Sequence, residues 1–184
     1  NIGNFDTPAN GKGGYMRGVE FSTSLEGGAI TPMLDGFGVL FNGSYTETSI
    51  DPNPLDDTRL RRGLPGLSKI VGNLTAYYEK NGFSARISER YRSGFQGEIY
   101  TSFAQREYTE VLPDRQTDMQ VAYEFQANST LSGWSMIFQV NNVTDSPYRT
   151  VQRSDFGVGG ADFYTTPLEY NEYGRQYLLG ISYK

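Results

Sequence analysis

Neither cysteine nor histidine occurs among the 184 residues. Without thiols there is no disulfide staple and no thiolate metal site. Without imidazole, Ser-His and Cys-His catalytic pairs and His-ligated zinc are excluded from this segment. Basic residues are outnumbered, 16 against 21 acidic, for a net charge of -5, the reverse of the balance expected in a nucleic-acid binder. No apolar run approaches the roughly 20 residues of a membrane helix. A mean hydropathy of -0.53 suits a soluble protein and equally a membrane barrel, whose strands alternate wet and greasy positions. The chain has neither an initiating Met nor a signal peptide, and Asn1 falls in a polar, Gly-rich stretch, so a piece of a longer chain is expected. Catalytic motifs are missing too: no Gly-X-Ser-X-Gly, no Ser-X-X-Lys and no phosphate-binding loop, while Gly36-Phe37-Gly38 lacks a third glycine. No pair of carboxylates is held at a readable spacing, so a glycosidase is only a formal option. The expectation is that the chain is not an enzyme and carries no cofactor.

What is present is β-forming: 14 Tyr, 11 Phe and 22 Gly favour strands joined by many turns. The pattern is plainest between Leu67 and Arg92. Two runs alternate apolar and polar side chains on either side of Asn81-Gly82, the dipeptide that best accepts the positive φ angles of a type I′ turn. If those two residues form the loop, Leu74, Ala76 and Tyr78 share a face with Phe83, Ala85, Ile87 and Tyr91. The other face carries Asn73, Thr75, Tyr77 and Glu79 against Arg90, Ser88, Arg86 and Ser84.

The same alternation recurs from Tyr15 to Leu25, from Phe37 to Thr46, from Met119 to Phe125, from Trp134 to Asn141 and from Tyr177 to Lys184. About seven strands are predicted. Their connections alternate between short ones and excursions at roughly 49–66, 93–116 and 142–172, so a meandering antiparallel sheet would carry tight turns on one rim and long loops on the other. Outer-membrane barrels have that asymmetry, and a soluble sandwich has no reason to sort loops by rim. Three features resist the reading. Glu89 falls on the greasy face, which requires an interfacial position or a bulge that turns it inward. Arg17 also breaks that face, near the strand end where lipopolysaccharide phosphates could pair with it. Seven strands cannot close a single-chain bacterial barrel, which has an even count; as the last strands of a larger barrel they would leave no bare edge.

Four blocks then carry a resemblance: GGYMRGVEFS, LPGLSKIVGNLTAYYEKNGFSARISERYRSGF, WSMIFQVNNVTDSPYRT and YGRQYLLGISYK are similar to the closing strands of TonB-dependent outer-membrane transporters, in that family's order. The phrasing around Pro8, Gly18 and Asn142 is nearest to a proteobacterial subgroup associated with carbohydrate uptake. The resemblance implies that residues 1–184 are the C-terminal segment of an all-β, antiparallel transmembrane barrel, about the last seven strands of 22 around a plugged lumen. It implies active uptake of a scarce ligand, an oligosaccharide or otherwise a ferric siderophore, in the bacterial outer membrane. The implied partners are lipid and lipopolysaccharide, the protein's own plug domain, and the TonB energy-coupling complex reached through an N-terminal part, with no nucleic acid. The family ends in an aromatic residue, usually Phe, whereas this sequence stops at Lys184. A passive porin and a soluble carbohydrate-binding β-sandwich are the competing readings.

On that frame the excursion aromatics Tyr100, Phe103, Tyr108, Phe156, Phe163, Tyr164 and Tyr170 become candidates to stack on an entering ligand, or simply pack the loops together. Arg59, Arg61 and Arg62 could grip an anion or form a solvated charge run. Asp51, Asp56 and Asp57 do not match a calcium loop, and no metal site is assigned. Glu20, Arg86, Arg90, Gln139 and Asn141 would face the lumen, where such residues line a path or hold the plug by hydrogen bonds. Tyr15, Tyr78, Tyr91 and Trp134 would stand in the interfacial aromatic girdles.

Overall fold

The computed structural model describes residues 13–51, 63–102, 105–154 and 164–184. The chain is all-β. Seven strands form one antiparallel sheet in the order β1 (Gly13–Glu26), β2 (Phe37–Asp51), β3 (Ile70–Lys80), β4 (Phe83–Arg92), β7 (Asp114–Glu124), β8 (Trp134–Asn141) and β11 (Gln176–Tyr183). These are the seven runs the alternation predicts. The sheet is open, with β1 and β11 as its edges.

The excursions are where expectation and structure part. Two of them contain strands rather than loops: β5 (Phe95–Ser102) and β6 (Gln105–Val111) in one, β9 (Tyr148–Ser154) and β10 (Tyr164–Asn171) in the other. They pair in the order β10-β9-β6-β5, so two hairpins from distant parts of the sequence join into a second sheet beyond the long-connection rim. Among the described residues this second sheet does not pack face to face on the first, and helix is confined to two short turns, Gly27–Ile30 and Pro32–Leu34, between β1 and β2.

Asn81 and Gly82 are the two loop residues of the central hairpin, with φ of 53° and 82°, as the sequence predicts. A rule repeats along this short-turn rim. Gly36, Gly82 and Gly133 all have left-handed φ, 91°, 82° and 87°. Each carbonyl accepts a backbone hydrogen bond from the next hairpin: Gly36 from Glu79 at 2.7 Å, Gly82 from Glu124 at 2.8 Å, Gly133 from Lys184 at 2.9 Å. A Cβ at any of the three would run into that same neighbouring strand's carbonyl oxygen. Glycine is required both for the φ and for the approach.

The register sets every side chain on one of two faces. One face takes Val19, Phe21, Val39, Phe41, Leu74, Ile87, Val121, Phe138 and Leu179. The other takes Asn42, Ser44, Asn73, Thr75, Arg86, Ser88, Gln116, Gln120, Gln139 and Ser182. A soluble sheet would bury the first face. Here Leu74, Ile87 and Phe138, all on interior strands, stay 48%, 48% and 43% exposed. Of the large hydrophobic side chains left exposed, twenty-two belong to this face and four, Met16, Leu40, Ile137 and Leu178, to the other. Among the described residues the buried apolar side chains are only Val111, Val140 and Val151, and no side chain is fully buried. The sheet has no hydrophobic core on either side.

Aromatic rings end the apolar face at the short-turn rim. Phe37 and Tyr78 lie 4.6 Å apart, Tyr78 and Phe83 6.1 Å, and Trp134 and Tyr183 5.2 Å, with Tyr123 against Phe125 at 5.0 Å. In the ladder this belt is not level. From Phe37 on β2 to Tyr183 on β11 it steps by four residues over five strand spacings, about 13 Å along the strands against about 24 Å across them, a slant of about 30°.

Candidate functional site

Cross-strand polar pairs tie the second face together. Asn73 donates to Asn42 at 3.0 Å, Thr75 and Ser88 share a hydrogen bond of 2.9 Å, and Ser135 and Ser182 one of 2.7 Å. Each pair occupies directly opposed register positions, which is why short side chains suffice. Toward the long-connection rim the ladder thickens into a network. The Arg90 guanidinium donates to Gln116 Oε1 at 2.8 Å and stands 3.9 Å from the Asp114 carboxylate. Gln116 Nε2 donates to Asp118 Oδ1 at 3.0 Å, and the same oxygen accepts from the Asn142 backbone N–H at 2.8 Å.

Asn142 is the hub. Its backbone is left-handed, with φ of 55°, a conformation that Asn tolerates better than most residues. Its Nδ2 donates to the carbonyls of Ser146 and Gly174, both at 3.2 Å, and its Oδ1 accepts from the Ser146 N–H at 2.8 Å. Arg175 adds a bond to the Val143 carbonyl at 2.8 Å and an ion pair with Asp145 at 3.8 Å. The two ends of the segment between β8 and β11 are thereby pinned to each other and, through Asp118, to β7. Nearby a cavity of about 350 Å³ opens between Arg90, Arg92, Gln116, Asn141, Tyr148 and Gln176. Planar amides and guanidinium groups at its wall offer directional donors and acceptors held by fixed strands.

The five residues expected on one side, Glu20, Arg86, Arg90, Gln139 and Asn141, all share this polar face. Only Arg90 and Asn141 reach the cavity. Arg86 and Gln139 lie in the Arg86–Gln120–Gln139 row nearer the short turns, Gln139 donating to Asn141 at 2.7 Å, and Glu20 is far off on β1 opposite Ser44. Arg92, Gln116, Tyr148 and Gln176 were not singled out in the sequence, since their convergence depends on which strands are neighbours. Of the loop aromatics, Phe103, Phe156 and Phe163 lie outside the described residues, as do Arg59, Arg61, Arg62, Asp56 and Asp57. Backbone register puts Tyr100 and Tyr164 in one row with Glu107 and Ser154, and Tyr108 in the next row with Arg153. Tyr170 is exposed, and its hydroxyl donates to Glu172 at 3.0 Å, a bond that raises the phenol above its ordinary pKa.

The four proposed girdle residues divide between the two rims. Tyr78 and Trp134 stand in the aromatic belt at the short turns, while Tyr15 and Tyr91 lie at the opposite end of the same apolar face. The two charged residues that the sequence marks as intruders on that face, Glu89 and Arg17, are each paired with another charge on it. Glu89 keeps simple register opposite Leu74 and Thr117, with no bulge to turn it inward, and accepts from Arg115 at 2.7 Å. Arg17, for which phosphates were the expected partner, binds Glu47 directly across the ladder at 2.7 Å. Comparison with protein-family models, with curated proteins and with solved structures found no match.

Proposed function

We propose that this chain is part of the wall of an outer-membrane barrel, the C-terminal portion of a TonB-dependent transporter of 22 strands, and that it serves active uptake of a scarce polar ligand. One observation carries the proposal: the apolar face of the seven-stranded sheet is left uncovered, while the polar face is hydrogen-bonded across its strands. Energy decides between solvents for that face. Covering the exposed half of twenty-two side chains, at about 2 kcal/mol for each fully buried one, is worth on the order of 20 kcal/mol. That exceeds the roughly 5–15 kcal/mol net stability of an ordinary domain. Hydrocarbon tails supply that cover without a second layer of protein. Dimensions agree: Tyr15 to Leu25 spans about 33 Å along the strand and about 25 Å after a tilt near 40°, the height of a barrel's apolar band. The slanted aromatic belt is the form an interface takes on tilted strands.

The polar face would then look into the lumen, with the Arg90–Gln116–Asn141 cavity near the outer mouth. Its amides, guanidinium groups and tyrosines suit a polyhydroxylated ligand, and we favour an oligosaccharide as substrate. The test is uptake of labelled oligosaccharides by cells carrying or lacking the inner-membrane energy complex. Transport that stops without the complex is expected; transport that continues identifies a passive porin. A protein that remains monodisperse without detergent overturns the membrane assignment itself.

A further inference from the structure

The cavity at the long-connection rim has an uneven wall. Arg90 and Arg92 share the polar face of β4, opposed on β7 by Gln116 and Asp114. Among the described residues, these two guanidinium groups and the one carboxylate are the only charges that line it. Asp114 stands 3.9 Å from Arg90, which also bonds to Gln116. Arg92 is half-buried and makes no hydrogen bond or ion pair within the described residues. What holds it is the Phe95 ring, whose centre lies 4.8 Å from the guanidinium carbon. A guanidinium stacked on a ring keeps its five N–H donors directed outward in its own plane. The fork is therefore positioned and unfilled.

The neutral groups tilt the same way. Gln116 Oε1 accepts from Arg90 and Asn142 Oδ1 from the Ser146 N–H, so two amide acceptors are taken. Asn141 Oδ1 accepts from Gln139, which leaves its Nδ2 to donate and without a partner within the described residues. Gln176, opposite Asn141, and the hydroxyls of Tyr148 and Tyr173 can serve either way. The free capacity of the wall is mostly N–H. A sugar hydroxyl brings a proton with every oxygen and finds few acceptors for it, whereas a carboxylate only accepts. We propose that the ligand of this cavity is an acidic oligosaccharide built of uronic-acid units, with one carboxylate on the Arg92 fork. Tyr173, at the wall and 69% exposed, offers a flat apolar surface to the sugar ring beside it. The assignment rests on the oligosaccharide uptake proposed above and adds a negative charge to its cargo.

The experiment is calorimetric titration of the full-length transporter in detergent with three probes of one length: trigalacturonate, its methyl ester and the neutral galactose trimer. The acid is expected to bind about tenfold or more tighter than either uncharged trimer. Arg92→Gln should weaken the acid by about tenfold to a hundredfold, the scale of a lost charge-assisted hydrogen-bonding site, and leave the neutral trimers unchanged. Asp114→Asn takes the one carboxylate off the wall and should tighten binding of the acid. If Arg92→Gln does not assemble, this second variant decides by a gain rather than a loss. Arg115→Gln removes the same charge from the opposite face and should change nothing; a loss equal to that of Arg92→Gln would assign the effect to bulk charge and overturn the inference. A neutral trimer bound as tightly as the acid, or an acid affinity untouched by Arg92→Gln, also overturns it while oligosaccharide uptake stands. If none of the three trimers binds, the oligosaccharide reading itself fails, and this inference with it.

Discussion

The two faces of the seven-stranded sheet share one backbone and one set of ladders, yet they are stabilised by opposite means. On the polar face, opposed side chains bond to each other: Asn73 to Asn42, Thr75 to Ser88, Ser135 to Ser182. On the apolar face side chains such as Leu74, Ile87 and Phe138 have no second layer over them and leave close to half of their surface exposed. The lesson is that alternation by itself fixes which residues are together, not which side is the inside. Solvent decides the second question, and a lipid surround reverses the usual answer.

Substitutions can break that contrast directly. A lysine at Leu74 or Phe138, near the middle of the apolar face, is expected to cost about 2–4 kcal/mol in a membrane. Lysine at Ser88, on the other face, should be tolerated. Equilibrium denaturant titration in lipid vesicles reads the difference, and equal costs on both faces would abolish the contrast. Ala at Gly82 should cost about 2 kcal/mol, since it combines an unfavourable left-handed φ with collision against the Glu124 carbonyl; Ala at Gly174, whose positive φ has no close neighbour, should cost less. Asp118→Ala strands the Asn142 N–H and the Gln116 amide, for about 1–3 kcal/mol, and should loosen the long-connection rim first, as hydrogen exchange at the bonded amides of Val143 and Ser146 would report. Smallest is Thr75→Val, about 1 kcal/mol or less for one part-buried hydrogen bond. A double-mutant cycle with Ser88→Ala isolates that bond, and no coupling would mean the polar ladder contributes nothing measurable.

The strands of the seven-stranded sheet were legible because each pairs a greasy stripe with a wet one. FSARIS and WSMIFQV announce period two on inspection. The second sheet was not legible. REYTEV and YRTVQRS have no apolar face to mark a period, so the signal that reveals a strand is missing. Irregular register between Gln96 and Ile99 and between Pro167 and Glu169 breaks what alternation there is. Those strands exist through pairing of β6 with β9, some forty residues apart. The partner of Glu89 was hidden for the same reason. No bulge is needed, because Arg115, 26 residues away, becomes its neighbour once β4 pairs with β7. Alternation puts Arg90 and Asn141 on one face with Glu20, Arg86 and Gln139, but the meeting of the two at one cavity depends on the order of the strands.

The connections at 27–36, 81–82 and 125–133 all gather at one end of the sheet, and the longer ones at the other, a polarity that, on the proposed membrane reading, chemistry can read from outside a cell. This chain contributes no thiol of its own. A cysteine introduced at Ser129 and another introduced at Ser146 would therefore be two addresses on opposite shores, and a reagent that cannot cross a bilayer should label the second in intact bacteria and the first only after the envelope is opened.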